Sequence, residues 1–437
     1  MRQFNQLITN KLYSWYLYDW ANSAYSTTVI TLFLGPYLTS LAKAEEFDGL
    51  VSFFGLSIPA GSIFPYAISI SVILQALLLP IIGAFTDYFQ KKNILLGIFT
   101  IIGASSTIAF LFEVSYITAS FLLIISNVSF GSAIVVYNSF LNQISNEKER
   151  KRVSSVGWAI GYLGGGSLLI INLLIFQNFE LLGITKGFSV RLNIALAGFW
   201  WAIFALPAII NLRTNNSNSD KLEVSKVVIS TLKQLIETSR MILRNRVALM
   251  FLISYLLYND GVQAVIALSS LFGQEELKLG IEFLTIVILV VQFFAALGAL
   301  IFNKVADFIG EKRTLLYMII IWLSILIYAF LLLNSSYEFF TLALFIALVM
   351  GGIQAISRSV YSKLIEEGKE AEYFSFYEIS EKGTSWMGPF LFGLTYQFTG
   401  SYRYAILSLA LFFVLGGILL YITKLENKLK ENAKKTI

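Results

Sequence analysis

Long apolar runs, separated by short polar segments, follow one another along the whole chain. A helix needs about 20 apolar residues to cross the hydrocarbon core of a bilayer, and twelve runs suit that length. The pattern predicts an all-α polytopic membrane protein with twelve transmembrane helices. The predicted spans are residues 12–40, 61–88, 93–113, 115–142, 153–177, 190–212, 247–272, 280–302, 314–334, 337–365, 373–398 and 402–423.

One long polar interval divides these spans into two groups of six. We expect an N-terminal six-helix bundle at residues 1–212, a cytoplasmic linker at 213–246, and a C-terminal six-helix bundle at 247–437 that ends in a short basic tail. Apolar linker residues such as Val228 and Leu232 fall on one helical stripe. This stripe predicts an amphipathic helix on the inner leaflet, although a solvated helix joining the halves would show the same pattern.

Composition narrows the class of protein and the chemistry open to it. Hydrophobic residues make up 57% of the chain and charged residues 14%, whereas soluble domains contain about 25% charged residues. Cysteine and histidine are both absent, which excludes disulfides, thiolate catalysis and imidazole proton transfer. We therefore expect no enzyme activity, no metal and no cofactor, and any proton handling falls to Asp and Glu.

Most lysines and arginines lie on segments that face the cytoplasm if the N-terminus is inside. Five basic residues fall on the opposite, outer side, and they are Lys43, Lys186, Arg191, Lys278 and Arg403. Because positive residues concentrate on cytoplasmic loops, both termini are predicted to be cytoplasmic, in the plasma (inner) membrane of a bacterial-type cell. The basic excess thus indicates membrane topology rather than nucleic-acid binding.

Three pairs of segments repeat in the same order in the two halves. They are YLYDWANSA (16–24) with YLLYNDGVQA (255–264), TDYFQKKN (86–93) with ADFIGEKR (306–313), and ISNEKERKRVS (144–154) with IEEGKEAEYFS (365–375). Repeats at matching places indicate an internal duplication, hence two pseudo-symmetric six-helix bundles. That architecture is typical of secondary transporters whose site lies between the halves near the midplane.

The second pair resembles the loop signature of the major facilitator superfamily, a Gly-x-x-x-Asp followed by basic residues. Tyr88, Gln90 and Asn303 depart from it. The resemblance implies the major facilitator fold and a role in gating between conformations rather than in substrate contact. Apart from glycines, the residues that match the signature are Asp87, Lys91 and Lys92 in the first half and Asp307, Lys312 and Arg313 in the second.

Four further segments resemble the vacuole-effluxer family, named after the fungal vacuolar amino-acid exporter linked to autophagy. They are YDWANSAYSTTV in span 1, GWAIGYLGG in span 5, YNDGVQAVI in span 7, and GGIQAISRSVYSKLI with GKEAEYFSFYEISEKGTSWMGPFLFG in spans 10 and 11. The resemblance implies a monomeric permease that moves a small-molecule substrate, with amino-acid efflux as the expected activity and protons as a candidate coupling ion.

Other activities stay open at this stage. Export of another metabolite or a drug, uptake, and a non-transporting sensor on the same fold all fit the pattern. No Gly-x-x-x-x-Gly-Lys loop occurs, so ATP is not expected to drive transport. A membrane-embedded transferase is disfavoured, since the chain lacks the histidine and cysteine that such enzymes commonly use.

Six ionisable residues within the predicted spans are candidates for chemistry. A charge at a helix centre costs about 2.5–3.5 kcal/mol, so these side chains should face the protein interior or a water-filled path. Four acids outnumber two bases, which suits a site for a proton or an ammonium group. The six are Asp19, Asp260, Arg358, Glu378, Glu381 and Lys382.

Asp260 is the strongest candidate for transport chemistry because it lies near the middle of span 7. We expect it to bind a substrate ammonium group or carry a proton, and a fixed ion pair with Lys382 or Arg358 is the alternative. Its neighbours Asn259 and Gly261 predict a locally irregular helix.

The remaining charges are expected to pair. Asp19 should meet basic residues at the inner ends of neighbouring spans, and Arg358 should form an interdomain gate pair. Glu378 and Lys382 stand four residues apart and can pair along one helix face, so Glu381 needs another partner.

Polar and aromatic side chains in the spans could line the path. Asn22, Tyr258, Gln263 and Gln354 are the candidates, while for aromatic residues such as Tyr18 and Tyr25 packing is the preferred interpretation. A separate face of span 5 carries Gly157, Gly161, Gly164 and Gly165. Small residues at that spacing predict close approach of a neighbouring helix.

Overall fold

A computed structural model describes residues 2–88, 92–145, 147–212, 233, 240, 243, 245–364 and 384–425. The chain forms two compact units, Met1–Leu232 and Lys233–Ile437. Their boundary falls inside the predicted linker, most of which lies outside the described residues. The predicted limits at 212 and 247 therefore stay predictions.

The first unit is helical apart from one hairpin. Its elements are α1 (Arg2–Ala24), a π-helix (Tyr25–Phe33), α2 (Leu34–Ala44), β1 (Val51–Phe53), β2 (Leu56–Ile58), a 3₁₀ turn (Ala60–Ser62), α3 (Ile63–Tyr88), α4 (Lys92–Ile108), a second 3₁₀ turn (Ala109–Leu111), α5 (Tyr116–Asn138), α6 (Leu141–Ile144), α7 (Glu147–Gln177) and α8 (Lys186–Asn211).

The described residues of the second unit form helices joined by short turns, without a strand. Its elements are α9 (Arg246–Glu275), α10 (Ile281–Ile309), α11 (Glu311–Leu331), α12 (Ser336–Leu364), α13 (Met387–Thr399), α14 (Tyr402–Ser408) and α15 (Ala410–Ile422).

Within these described ranges, 10 helical segments are long and apolar enough to cross a membrane. Each coincides with a predicted span, so the all-α polytopic class is confirmed. The first predicted span is helical as well, but the π-helix interrupts it. The eleventh is described only from residue 384, and the count of twelve stays a prediction.

The irregular helix lies in the first span and not in the seventh. Thr27 donates to Ser23 O at 2.9 Å and Thr31 to Ser26 O at 3.1 Å, and such hydroxyl bonds compete with the regular helical pattern. The expectation of irregularity at residues 259–261 was wrong, since α9 runs unbroken through them. A single glycine costs a helix only about 1 kcal/mol, which a long buried helix tolerates.

A short β-hairpin, which the apolar pattern did not predict, follows α2. Val51 pairs with Ile58 and Phe53 with Leu56. Phe54 and Gly55 form the turn with φ angles of 48° and 82°. Two-residue hairpin turns of this kind need positive φ at both positions.

The glycine face of span 5 packs against α1, as the spacing predicted. A Cβ added at Gly157 would overlap Asp19 Oδ2, and one at Gly161 would lie 2.6 Å from Ser23 Oγ. A Cβ at Gly164 would overlap the Trp20 carbonyl oxygen. Close approach of α7 and α1 is therefore confirmed, and it places Asp19 against the backbone of α7.

One arginine ties together three helix ends in the second unit. The Arg403 guanidinium donates from Nε to Glu276 Oε1 at 2.6 Å. It also donates to the carbonyl oxygens of Phe330 at 3.2 Å and Leu333 at 2.6 Å, and to Asn334 Oδ1 at 2.9 Å. These contacts join the start of α14 to the ends of α9 and α11.

Candidate functional site

Asp19 lies in α1, close to where the π-helix begins, and a tyrosine is its partner. The Tyr137 hydroxyl of α5 donates to Asp19 Oδ2 at 2.6 Å. The Tyr137 ring stacks between Trp15, at 4.6 Å between centroids, and Tyr18, at 4.8 Å. Aromatic packing therefore fixes the donor, which holds the carboxylate in place.

The expected basic partner of Asp19 does not occur among the described residues. The ion pairs recorded there join Arg191 to Glu113, Lys363 to Glu311 and Arg403 to Glu276. The physical reason is that the Tyr137 hydroxyl, fixed by stacking on Trp15 and Tyr18, occupies the position beside Asp19 Oδ2.

Asp260 stands at the midpoint of the 30-residue helix α9 and is completely buried. Among the described residues, neither of its carboxylate oxygens has a hydrogen-bond donor. The backbone of Gly388 in α13 lies close, since a Cβ added there would be 3.3 Å from Oδ1. The geometry between the Gly388 backbone and the Asp260 carboxylate falls short of a hydrogen bond.

Asp260 does not pair with Arg358. The Arg358 side chain is exposed on α12, and the ion pairs recorded in the described part of the chain do not include it with Asp260. The other proposed partner, Lys382, lies outside the described residues, as do Glu378 and Glu381. The predicted pairing of these three residues in span 11 stays a prediction.

The predicted path residues lie in different surroundings. Asn22 is buried, whereas Gln263 and Gln354 are half-buried. Tyr258 is buried, and its hydroxyl and that of Ser357 are 2.6 Å apart.

Tyr18 and Tyr25 are held within the first unit. Their hydroxyls bond Thr100 Oγ1 at 3.2 Å and Ser126 Oγ at 2.8 Å. Both rings are fully buried. The packing interpretation of these two tyrosines is therefore confirmed.

The second loop signature is a sharp turn built on glycine. Gly310 separates α10 from α11 with φ of 89°, a conformation that side chains other than glycine seldom adopt. Lys312 Nζ donates to the carbonyl oxygens of Tyr421 at 2.8 Å and Thr423 at 2.9 Å. It therefore caps the end of α15, where unpaired helix carbonyls favour a cation.

For the other predicted gating residues the structure gives the position in an element and the exposure. Asp307 and Arg313 are exposed on either side of the Gly310 turn. In the first copy, Lys92 begins α4 and is half-buried, and Asp87 lies in the last turn of α3. Lys91 and the side chain of Asp87 fall outside what is described.

The same arrangement recurs in each unit. In the first unit, Asp19 of span 1 packs against Gly157 of span 5. In the second unit, Asp260 of span 7 packs against Gly388 of span 11, and these two spans are the first and fifth of their half. Sequence analysis missed Gly388, whose place in span 11 does not correspond to that of Gly157 when residues 144–154 and 365–375 are aligned. It also missed Tyr137, whose contact with Asp19 spans 118 residues and leaves no local pattern.

Comparison with protein families and their members gives concordant matches. Residues 9–433 match the family model described as "Vacuole effluxer Atg22 like". The chain is 33% identical over 415 residues to the uncharacterized MFS-type transporter YxiO of Bacillus subtilis (strain 168), covering 93% of each chain. It is 25% identical over 487 residues to Autophagy-related protein 22 of Vanderwaltozyma polyspora, covering 95% of this chain and 91% of that one.

Solved structures of transporters share the fold. A bacterial homolog of the human lysosomal transporter Spinster, in an inward-facing and unoccupied conformation, matches with a TM-score of 0.70 at 13% identity over 98% of both chains. The nucleoside transporter NupG matches with a TM-score of 0.66 at 14% identity, over 94% of this chain and 98% of that one. At such identities the likeness establishes the fold alone, and it is the major facilitator fold.

Proposed function

The chain belongs to the vacuole effluxer Atg22-like family of major facilitator transporters, and from that membership we propose that it exports amino acids by alternating access. Asp260 is the residue that binds either the ammonium group of the substrate or a coupled proton. The two predicted bundles, residues 1–212 and 247–437, are the parts that move.

The unpartnered carboxylate of Asp260 carries this proposal. The side chain is fully buried, and neither oxygen has a hydrogen-bond donor in the part of the chain that the structure describes. An isolated carboxylate buried in this way is unstable as an anion, so it persists as a neutral acid or beside a cation. In the proposed mechanism a proton or the ammonium group of the substrate meets that need, and the ion pair with Lys382, a residue outside the described part of the chain, stays the alternative.

One carboxylate that binds a proton or an ammonium group, but not both, also supplies the coupling. A proton that reaches Asp260 displaces the substrate ammonium, and a substrate that arrives displaces the proton. Intramembrane carboxylates serve as proton relays in transporters. Export of the amino acid would thus be exchanged for entry of a proton.

Counterflow in proteoliposomes tests the proposal. Proteoliposomes that contain the wild-type protein and are preloaded with an unlabelled amino-acid mixture should accumulate labelled amino acids. Asp260→Asn should abolish that accumulation, since an amide carries no charge for the ammonium group and binds no proton at neutral pH. The matched control is Glu180→Gln, the same carboxyl-to-amide change at an exposed position between α7 and α8, which should leave counterflow intact.

The possible results separate the alternatives. Counterflow that persists in Asp260→Asn would exclude Asp260 as the ligand of the substrate ammonium group while leaving an amino-acid carrier, and uptake driven by a proton gradient would then test its role as proton carrier. Absence of counterflow with folded wild-type protein would reject the amino-acid assignment. Nucleosides, drugs and other metabolites would then be tested in the same assay, and a failure of all of them would favour a sensor.

A further inference from the structure

The tip of the β-hairpin in the first unit lies against a membrane-spanning helix. The Phe54 ring is 5.6 Å from the ring of Phe121 in α5, and the Tyr116 hydroxyl donates to the Ser52 carbonyl oxygen at 2.7 Å. The hairpin is therefore docked on the beginning of α5 rather than extended away from the helices.

The face of α5 that meets the hairpin is apolar and exposed. Ile117, Phe121 and Ile125 recur every four residues along the helix, and all three are exposed. In a helix that is a candidate membrane span, such a stripe faces lipid. Phe121 comes five residues after Tyr116, about 8 Å along the helix axis, so the Phe54 ring beside it lies at the depth of the headgroup and upper acyl region.

The hairpin itself exposes large apolar side chains. Phe47 is 80%, Phe54 61% and Leu56 68% exposed. Acidic residues of the segment that leads into the hairpin, Glu45 and Glu46, are exposed too. The hairpin region is thus amphipathic, which suits a segment lying at the boundary between water and lipid.

The turn residue adds an independent observation. Phe54 holds φ at 48°, where asparagine or glycine would fit with less strain and a bulky side chain is a rare outlier. Strained residues of this kind persist at functional positions. The aromatic ring is therefore what this position requires, and not a residue suited to the turn.

A groove separates the hairpin from α5. It has a volume of about 220 Å³ and is lined by Ser52, Phe53, Phe54, Gly55, Ile117, Ser120 and Phe121. Its lining is mostly apolar, and it is continuous with the lipid-facing stripe of α5. That shape and chemistry fit a hydrocarbon chain.

We propose that the hairpin is an interfacial anchor whose tip inserts into the leaflet that contains the start of α5, with a phospholipid acyl chain in the groove beside it. Phe54 and Leu56 are the inserted side chains, and the acidic segment stays in water. The occupant is bilayer lipid, because the groove continues the exposed apolar stripe of a candidate membrane span.

The absence of cysteine from the chain allows a direct test with single introduced cysteines. Phe54→Cys and Leu56→Cys would be labelled with an environment-sensitive fluorophore and reconstituted in phosphatidylcholine vesicles. Glu46→Cys is the water-exposed control on the approach to the hairpin, and Ile125→Cys is the lipid-facing control in α5. Quenching by a lipid nitroxide near the top of the acyl chain is compared with quenching by aqueous iodide.

Insertion predicts blue-shifted emission and strong lipid quenching at Phe54 and Leu56, as at Ile125, with iodide quenching confined to Glu46. Strong iodide quenching and weak lipid quenching at both hairpin positions would overturn the proposal. Protection from both quenchers would overturn it as well, and it would point to a second copy or another protein on this surface.

Discussion

At the scale of single residues, two aspartates from repeated segments meet opposite surroundings. Asp19 accepts a hydrogen bond from Tyr137, whereas Asp260 accepts none from the described residues. Each nevertheless lies against a glycine of the fifth predicted span in its own unit. These surroundings favour a structural role for Asp19, and they agree with the proposal that Asp260 binds a proton or an ammonium group.

Replacing Tyr137 by phenylalanine tests the structural role of Asp19. Tyr137→Phe should lower the free energy of unfolding by about 1.5–3 kcal/mol, because a hydrogen bond to a charged acceptor is lost. The matched control is Tyr25→Phe, which removes a bond to the neutral Ser126 hydroxyl at 2.8 Å and should cost about 0.5–1.5 kcal/mol.

Thermal and denaturant unfolding in the same detergent would measure both tyrosine variants. Equal losses of stability would contradict the prediction, since the bond to Asp19 would then contribute no more than a bond between neutral hydroxyls.

At the scale of elements, close helix contact through glycine organises the first unit. Gly157, Gly161 and Gly164 let α7 reach the backbone of α1. Helices in lipid gain little from hydrophobic burial, so close van der Waals packing of this kind supplies much of their attraction. The carboxylate of Asp19 fits only because no Cβ stands opposite it.

Adding one methyl group to this contact should therefore be costly. Gly157→Ala should destabilise the protein by about 1–3 kcal/mol, because the new Cβ overlaps Asp19 Oδ2 and the Trp15 ring and forces both to move. Gly187→Ala is the control: it is in α8 with no atom within 4 Å of the added Cβ. Alanine there should be neutral or stabilising by about 0.5–1 kcal/mol.

The same unfolding assay would compare the two glycine variants. A Gly157→Ala protein as stable as the Gly187→Ala protein would show that α1 and α7 can separate without loss, and the close-contact argument would fail.

The sequence predicts some of these elements and not others, for physical reasons. An apolar run about 20 residues long is readable because a bilayer imposes that length, and glycine spacing is readable because helices repeat. The π-helix and the hairpin were missed because Thr27 and Phe54 carry no periodic signal. Asp260 was found as a lone charge in an apolar helix, whereas Tyr137 and Gly388 become partners only through the fold.

At the scale of the whole molecule, the topology in the membrane stays a prediction that the distribution of basic residues supports. Cytoplasmic termini place Lys43 on the outside, in the segment between the first two spans, and the basic tail on the inside. The opposite orientation would put most lysines and arginines outside.

Single-cysteine labelling in intact cells checks this orientation, again because the chain contains no cysteine. Lys43→Cys should react with a membrane-impermeant maleimide from outside, whereas Ala433→Cys should react only after permeabilisation. Ile125→Cys, in the lipid-facing stripe, is the unreactive control. The reverse pattern at residues 43 and 433 would invert the topology, and with it the direction of the proposed export.

The Arg403 side chain bears on where foreign sequence can be inserted into this protein. Its four hydrogen bonds tether the segments at 276 and 330–334 to the start of α14, so an epitope placed in either segment would pull on the same guanidinium. The turn at Gly183 has open space around it, and exposed tips of this kind accept insertions best. A tag meant to report expression without disturbing the fold therefore belongs at Gly183.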